Sequence, residues 1–128
     1  MTVLPAPGSI RTAIVLYYSP AGRDHLETVL RGQGVGAYSI AGRAPHALEE
    51  IRRHPAKVVI VDRDPDDISV RQAVRQVGRA LPDSLVVMAG IGRPSAEVYR
   101  EGRQVGVEES VEAALRCYSD LIDSHVAG

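Results

Sequence analysis

The sequence predicts an α/β fold, a three-layer sandwich of five βα units with a parallel sheet between two helical layers. Two observations carry this. Short, largely apolar runs recur at 12–18, 35–40, 57–62 and 85–89, and the stretches between them place apolar residues at helical spacing. Runs that are apolar at nearly every position suit strands covered on both faces. Strands alternating with helices imply right-handed crossovers and a parallel sheet.

Taken in order, residues 1–10 read as a loose leader and residues 11–125 as one domain. Thr12 to Tyr18 is the first strand, broken by Ser19-Pro20-Ala21-Gly22. From about Arg23 a helix carries Leu26, Val29 and Leu30 inward and ends at Gly32-Gln33-Gly34. Val35 to Ile40 is a second strand. Its helix opens at Ala44-Pro45, where proline suits a first turn, buries Leu48 and Ile51, and stops at His54-Pro55. Lys57 to Asp62 is the central strand, and a third helix from about Asp67 to Ala80 turns Ile68, Ala73, Val77 and Leu81 inward. Leu85 to Ala89 is a fourth strand, Gly90 to Pro94 a loop, and Ser95 to Glu101 a short helix ended by Gly102. Gln104 to Val107 is a weak fifth strand. Ser110 caps a last helix with Val111, Ala114, Leu115, Tyr118, Leu121 and Ile122 on its apolar side.

Composition excludes several classes. Fifteen basic against sixteen acidic residues leave a net charge of -1, so bulk electrostatics argue against nucleic acid or an anionic membrane as partner. No apolar run reaches the roughly 18 to 20 residues that a membrane span needs. The start lacks a basic segment followed by a long apolar one, so a cytoplasmic location is expected. Cys117 is the single cysteine, which excludes an internal disulfide and any multi-thiolate metal site. With no Phe or Trp, the core must be aliphatic. Lys57 is the one lysine among the basic residues, a coding bias in favour of arginine.

The residue that invites a chemical reading is Asp62. It closes the central strand and so stands at the carboxyl edge of the sheet, where open α/β sheets place ligands. A strand-end aspartate can equally bond the backbone N–H groups of the turn that follows. Asp64, Asp66 and Asp67 form an acidic cluster with it, but the spacing lacks the glycine and distal glutamate of a calcium loop, and no metal is expected. Ser19, Gly22 and Arg23 lie between the first strand and helix, where helix N–H groups attract anions, although no Walker or dinucleotide glycine pattern is present. His25, His46, His54 and His125 are scattered, with no pair at ligand spacing. Arg71, Arg75 and Arg79 recur every four residues as a basic stripe, which reads first as a solvated helix face and second as a contact for an acidic protein surface.

The segment Pro55-Ala56-Lys57-Val58-Val59-Ile60-Val61-Asp62, followed by Asp64-Pro65, resembles the third strand and phosphoacceptor of response-regulator receiver domains. Gly102 to Ser110 can be laid on that family's fifth strand, and the likeness spans roughly Arg11 to Asp123. It implies a flavodoxin-like (βα)5 sandwich with strand order 2-1-3-4-5. Receivers set an acidic pair beside the acceptor to hold magnesium, a hydroxyl residue after the fourth strand and a lysine after the fifth. The corresponding positions here are Tyr18 and Ser19, Ala89 and Glu109. A phosphoryl group adds about −1.5 to −2 charges, and this site would meet it with Asp64 and Glu109.

The resemblance therefore implies a degenerate, pseudo-receiver domain that keeps the scaffold without aspartyl phosphorylation, uses no cofactor, is not an enzyme and serves signalling through protein contacts. By the same resemblance, the surface of the fourth helix, fifth strand and fifth helix pairs subunits or meets an effector, with Tyr99, Arg103, Leu115 and Tyr118 nearby. The opposing expectation is a small anion- or nucleotide-binding protein or enzyme on the same scaffold, using the Ser19 to Arg23 loop.

Overall fold

A computed structural model of the chain describes residues 12–54, 56–62, 68–89 and 95–117. The leader, Arg63 to Asp67 with Asp64, the Gly90 to Pro94 loop, and Tyr118, Leu121, Ile122 and His125 lie outside the described residues. Ten elements follow in order: β1 Thr12–Tyr17, α1 Pro20–Gly32, β2 Gly36–Ala41, α2 Ala47–Arg53, β3 Val58–Asp62, α3 Ile68–Ala80, β4 Leu85–Met88, β5 Ala96–Arg100, β6 Arg103–Glu108 and α4 Val111–Cys117.

They build one mixed sheet in the order β2-β1-β3-β4-β5-β6. β2, β1, β3 and β4 are parallel, with Tyr17 opposite Asp62 and Val59 opposite Val86. α1 and α4 cover one face, where Val15, Leu26, Leu30, Ile60, Val87, Val98 and Leu115 share a core. α2 and α3 cover the other, over Ile14, Leu16, Ile51, Val59, Val61, Val77 and Val86. Every residue of β3 and β4 is buried, as expected of central strands with helices above and below.

α1 is built by its two ends. Ser19 is the N-cap, its hydroxyl accepting from the Gly22 N–H at 3.1 Å, and Pro20 takes the first helical position, where its missing N–H costs nothing. The helix thus starts at Pro20 and not near Arg23, because the Ser-Pro pair expected to be a loop is a cap. At the other end Gly34 has φ +72°, its N–H bonds Arg31 O at 3.1 Å, and Val35 N–H bonds Leu30 O at 2.9 Å. This is a Schellman closure, which a left-handed glycine makes without strain. α2 begins at Ala47, later than Ala44-Pro45, since those residues belong to a turn closed by Ala47 N–H to Ala44 O at 3.1 Å.

The sheet departs from the expected five-stranded parallel order after β4. The segment expected as a helix over 95–101 is the antiparallel strand β5, and β6 returns antiparallel to it as the sixth strand. Ala96 and Val98 are fully buried while Glu97 and Tyr99 face the other way, a period of two and not of 3.6. A crossover between parallel strands needs a dozen or more residues, whereas only Glu101 and Gly102 join β5 to β6. Both have positive φ, 53° and 79°, the geometry of a type I′ hairpin turn. Gly102 ends no helix.

That turn rests on α3. A Cβ added to Gly78 would lie 2.7 Å from the Gly102 backbone nitrogen, so helix and turn meet backbone to backbone. Ordinarily Gly→Ala in a helix gains about 0.5–1 kcal/mol. At Gly78 the collision outweighs that gain, and Gly78→Ala is expected to destabilise by about 1–3 kcal/mol in the manner of an overpacked core. Gly32→Ala, with nothing within 4 Å of the added carbon, is expected to stabilise slightly. Urea unfolding of the two variants checks the opposite signs.

Candidate functional site

β1 and β3 are neighbours, but the chain leaves β1 toward β2 and leaves β3 toward β4. Their carboxyl ends therefore flank the point where the winding reverses, the usual ligand position of such sheets. Asp62 ends β3 there and is only 4% exposed. Ser19 lies two residues beyond Tyr17, the register partner of Asp62, and the Ser19 hydroxyl donates to Asp62 Oδ2 at 3.2 Å while accepting from the Gly22 N–H. One hydroxyl thus joins the N-cap of α1 to the central strand.

Gly22 makes this junction possible. A Cβ built there would fall 1.8 Å from Asp62 Oδ2 and 2.0 Å from its Cγ, so the carboxylate fills the space a side chain would take. Burying a carboxylate is costly unless it is bonded or meets positive potential. Here it receives the Ser19 hydroxyl and lies in the first turn of α1, whose N-terminus carries the positive end of the helix dipole. Asp62 occupies the place an incoming anion would need.

The other residues of the constellation are dispersed. Tyr18 turns to the opposite face of the sheet, packing with the α2–α3 core, with its ring beside Gly42 and the Arg43 guanidinium 5.9 Å from the ring centroid. Ala89 is buried on the Asp62 side of the sheet, and its N–H extends the β3–β4 ladder to Val61 O at 2.8 Å. Glu109 is exposed between β6 and α4. Because β5 is interposed, β6 lies three strand spacings from β3, about 14 Å, where the expected sheet would leave two, about 10 Å. Arg23 lies 5.3 Å over the Tyr17 ring and its Nε bonds Asp24 Oδ1 at 3.2 Å. The Asp24 carboxylate, then the Tyr17 hydroxyl, hold its guanidinium above the usual range.

The surface implied for subunit pairing is also rearranged. Leu115 is 3% exposed and belongs to the core under α4. Tyr99 packs on the opposite face, donating to Glu97 Oε1 at 2.9 Å, and Arg103 stands exposed on β6. Burial, then the bond to Glu97, pushes the Tyr99 phenol up to about 12. The basic stripe of Arg71, Arg75 and Arg79 is exposed on α3, which a solvated face and a contact surface both require. Of the histidines, His54 stacks on Tyr38 with centroids 4.5 Å apart, and His46 stands 3.8 Å from Glu49. Among the described residues, no three His, Cys, Asp or Glu side chains gather to hold a metal ion. A cleft of about 270 Å³ lined by Glu27, Arg31, Val35, Gly36 and Ala37 lies at the amino edge of β2, the end of the sheet away from Asp62.

No family model, no curated protein and no solved structure matches this chain. Fold and site together define a mixed α/β domain whose switch-point carboxylate is built into the packing. Among the described residues, no helix is long and apolar enough to cross a membrane.

Two outcomes follow from this geometry. Gly22→Ala should destabilise strongly, by about 3 kcal/mol, through overpacking against a buried charge. Combining it with Asp62→Ala should restore part of that loss, because the two residues share one space; a double-mutant cycle in urea reads the coupling. Tyr99 favours its neutral form in the fold, so its contribution is intact below pH 10 and is lost as pH rises from about 10 toward 12. Tyrosinate absorbance should show a late-titrating tyrosine that disappears in Tyr99→Phe.

Proposed function

We propose that this chain is a non-catalytic protein-interaction module for signalling, on a scaffold whose β1–β4 half resembles a receiver domain and which does not use aspartyl phosphorylation. The observation that carries this reading is the state of Asp62. In a receiver the equivalent carboxylate must be reachable by a phosphoryl donor and surrounded by cations. Here it is buried, bonded by Ser19, and pressed against Gly22. Tyr18, which would stand in the magnesium-binding acidic pair, faces the far side of the sheet, and Glu109 lies three strands away.

The same arrangement weighs against the anion-binding alternative. A phosphate approaching the N-terminus of α1 would meet the Asp62 carboxylate, and Arg23, the cation of that segment, is held by Asp24 and Tyr17. Like charges at a few ångströms repel by about 4 kcal/mol at an effective dielectric of 20. That exceeds what one exposed arginine returns.

Incubation with magnesium and acetyl phosphate, followed by intact-mass measurement, tests the proposal. No mass gain is expected. A phosphoryl adduct on Asp62, absent in Asp62→Asn, overturns it. Thermal shift against nucleotides, flavins and phosphorylated metabolites should be flat, and a stabilisation lost in Arg23→Ala would establish the anion-binding reading instead.

A further inference from the structure

The hairpin that replaces the expected helix leaves one edge of the sheet half covered. α3 packs on β4 and β5, and α4 packs on β5 and β6, so among the described residues the main helix contact of β6 is with α4. Val107 lies opposite Glu97, on the face away from α4, and Val105 and Val107 are 53% and 56% exposed. Among the described residues β6 is the last strand of the sheet, and its outer N–H and C=O groups have no strand partner there.

The opposite edge is different. β2 has α1 and α2 on its two faces, Ser39 donates to Glu27 from α1, and Tyr38 donates to Glu50 from α2 at 3.0 Å while stacking on His54. Tyr38, the other large exposed apolar residue among those described, is therefore already engaged.

Charge along β6 is also ordered. Arg100 and Arg103 flank the hairpin turn at one end, Glu108 and Glu109 stand at the other, and Val105-Gly106-Val107 between them is uncharged. Protective edge strands usually carry a charge in their middle. This one carries its charges only at the ends, with opposite signs, and Arg100, Arg103 and Glu109 form no ion pair among the described residues.

We propose that β6 pairs antiparallel with β6 of a second copy of this chain, forming a homodimer through a sheet continuous across both subunits. A two-fold axis perpendicular to the sheet pairs residues of equal parity and gives a self-complementary contact. Centred on Gly106, it sets Val105 of each copy against Val107 of the other, with no side chain at the centre. It also brings the arginine end of each strand to the glutamate end of its neighbour. Centring on Val105 would put Arg103 opposite Val107, losing both matches. The β-bulge between Val98 and Tyr99 falls at Val105, the residue between Gln104 and Gly106 without a partner on β5, and leaves residues 106–108 in regular register.

This inference rests on the reading of the chain as an interaction module and names its partner and surface. Its test reads the β6 edge, whereas acetyl phosphate reads Asp62, so either can fail alone. Sedimentation velocity of the full chain from micromolar to millimolar concentration should show a monomer–dimer equilibrium. Val107→Lys should weaken it at least about tenfold, as loss of a central contact does, with an unchanged melting temperature because the side chain is exposed. Arg103→Glu should weaken it also, and Arg103→Glu with Glu109→Arg should restore it. Ala37→Lys on β2 should leave it intact. A monomer at every concentration overturns the proposal, as does a dimer indifferent to Val107→Lys or abolished by Ala37→Lys.

Discussion

The Asp62 carboxylate buried against the first turn of α1 is the constraint to which the surrounding residues conform. A buried charge must have partners, and the nearest chain segment is the β1–α1 junction, two residues past the Tyr17–Asp62 register pair. That requirement selects a hydroxyl at position 19 that can donate to Asp62 and accept from the helix at once. It selects Pro20, which pre-sets the helical turn, and Gly22, the residue without a side chain where the carboxylate must lie. The register of α1 over the sheet then follows, which places Leu26 and Leu30 into the core beside Val15 and Ile60.

Such a carboxylate has little freedom for chemistry. A nucleophile or ion ligand at a switch point needs open coordination and nearby cations, whereas a structural brace needs closed packing and satisfied bonds. The two demands conflict at one atom. With Gly22 against the carboxyl group and the Ser19 hydroxyl already in two hydrogen bonds, this chain meets the second demand. The result is a rigid link between the central strand and a helix at the place where other α/β proteins keep a crevice.

Much of the fold is legible in the sequence, and where it is not the reason is physical. Strands β1, β3 and β4 are apolar at almost every position, which a doubly covered strand requires and little else tolerates. Ser95 to Glu101 is ambiguous: seven residues with mixed polarity fit about two helical turns as well as a strand, and Gly102 serves as a helix stop or as a hairpin turn. What separates the readings is tertiary: Ala96 and Val98 are buried at a period of two and Tyr99 pairs opposite Val86, contacts that no local pattern marks. At the site, Ser19-Pro20 carries an N-cap signal, Ser before Pro at a first helical position, although the pair reads as a loop beside the strand before it. The bond of Ser19 to Asp62 was not legible, because strand register decides which residues meet, and no local pattern marks Gly22 as the third partner.

The antiparallel strand β5 has two consequences that arise from one change. By pairing with β4 it moves the following strand one spacing farther from Asp62, so that Glu109 and its neighbours cannot complete a site at the switch point. By turning back through Glu101 and Gly102 without a crossover helix, it also leaves β6 with α4 as its main helix contact among the described residues. In a sheet of βα units every added strand brings a helix to cover it; a hairpin adds two strands and no covering layer. The exposure of Val105 and Val107 is therefore a product of the topology, and the strand keeps its charges at its ends, Arg103 at one and Glu108 at the other.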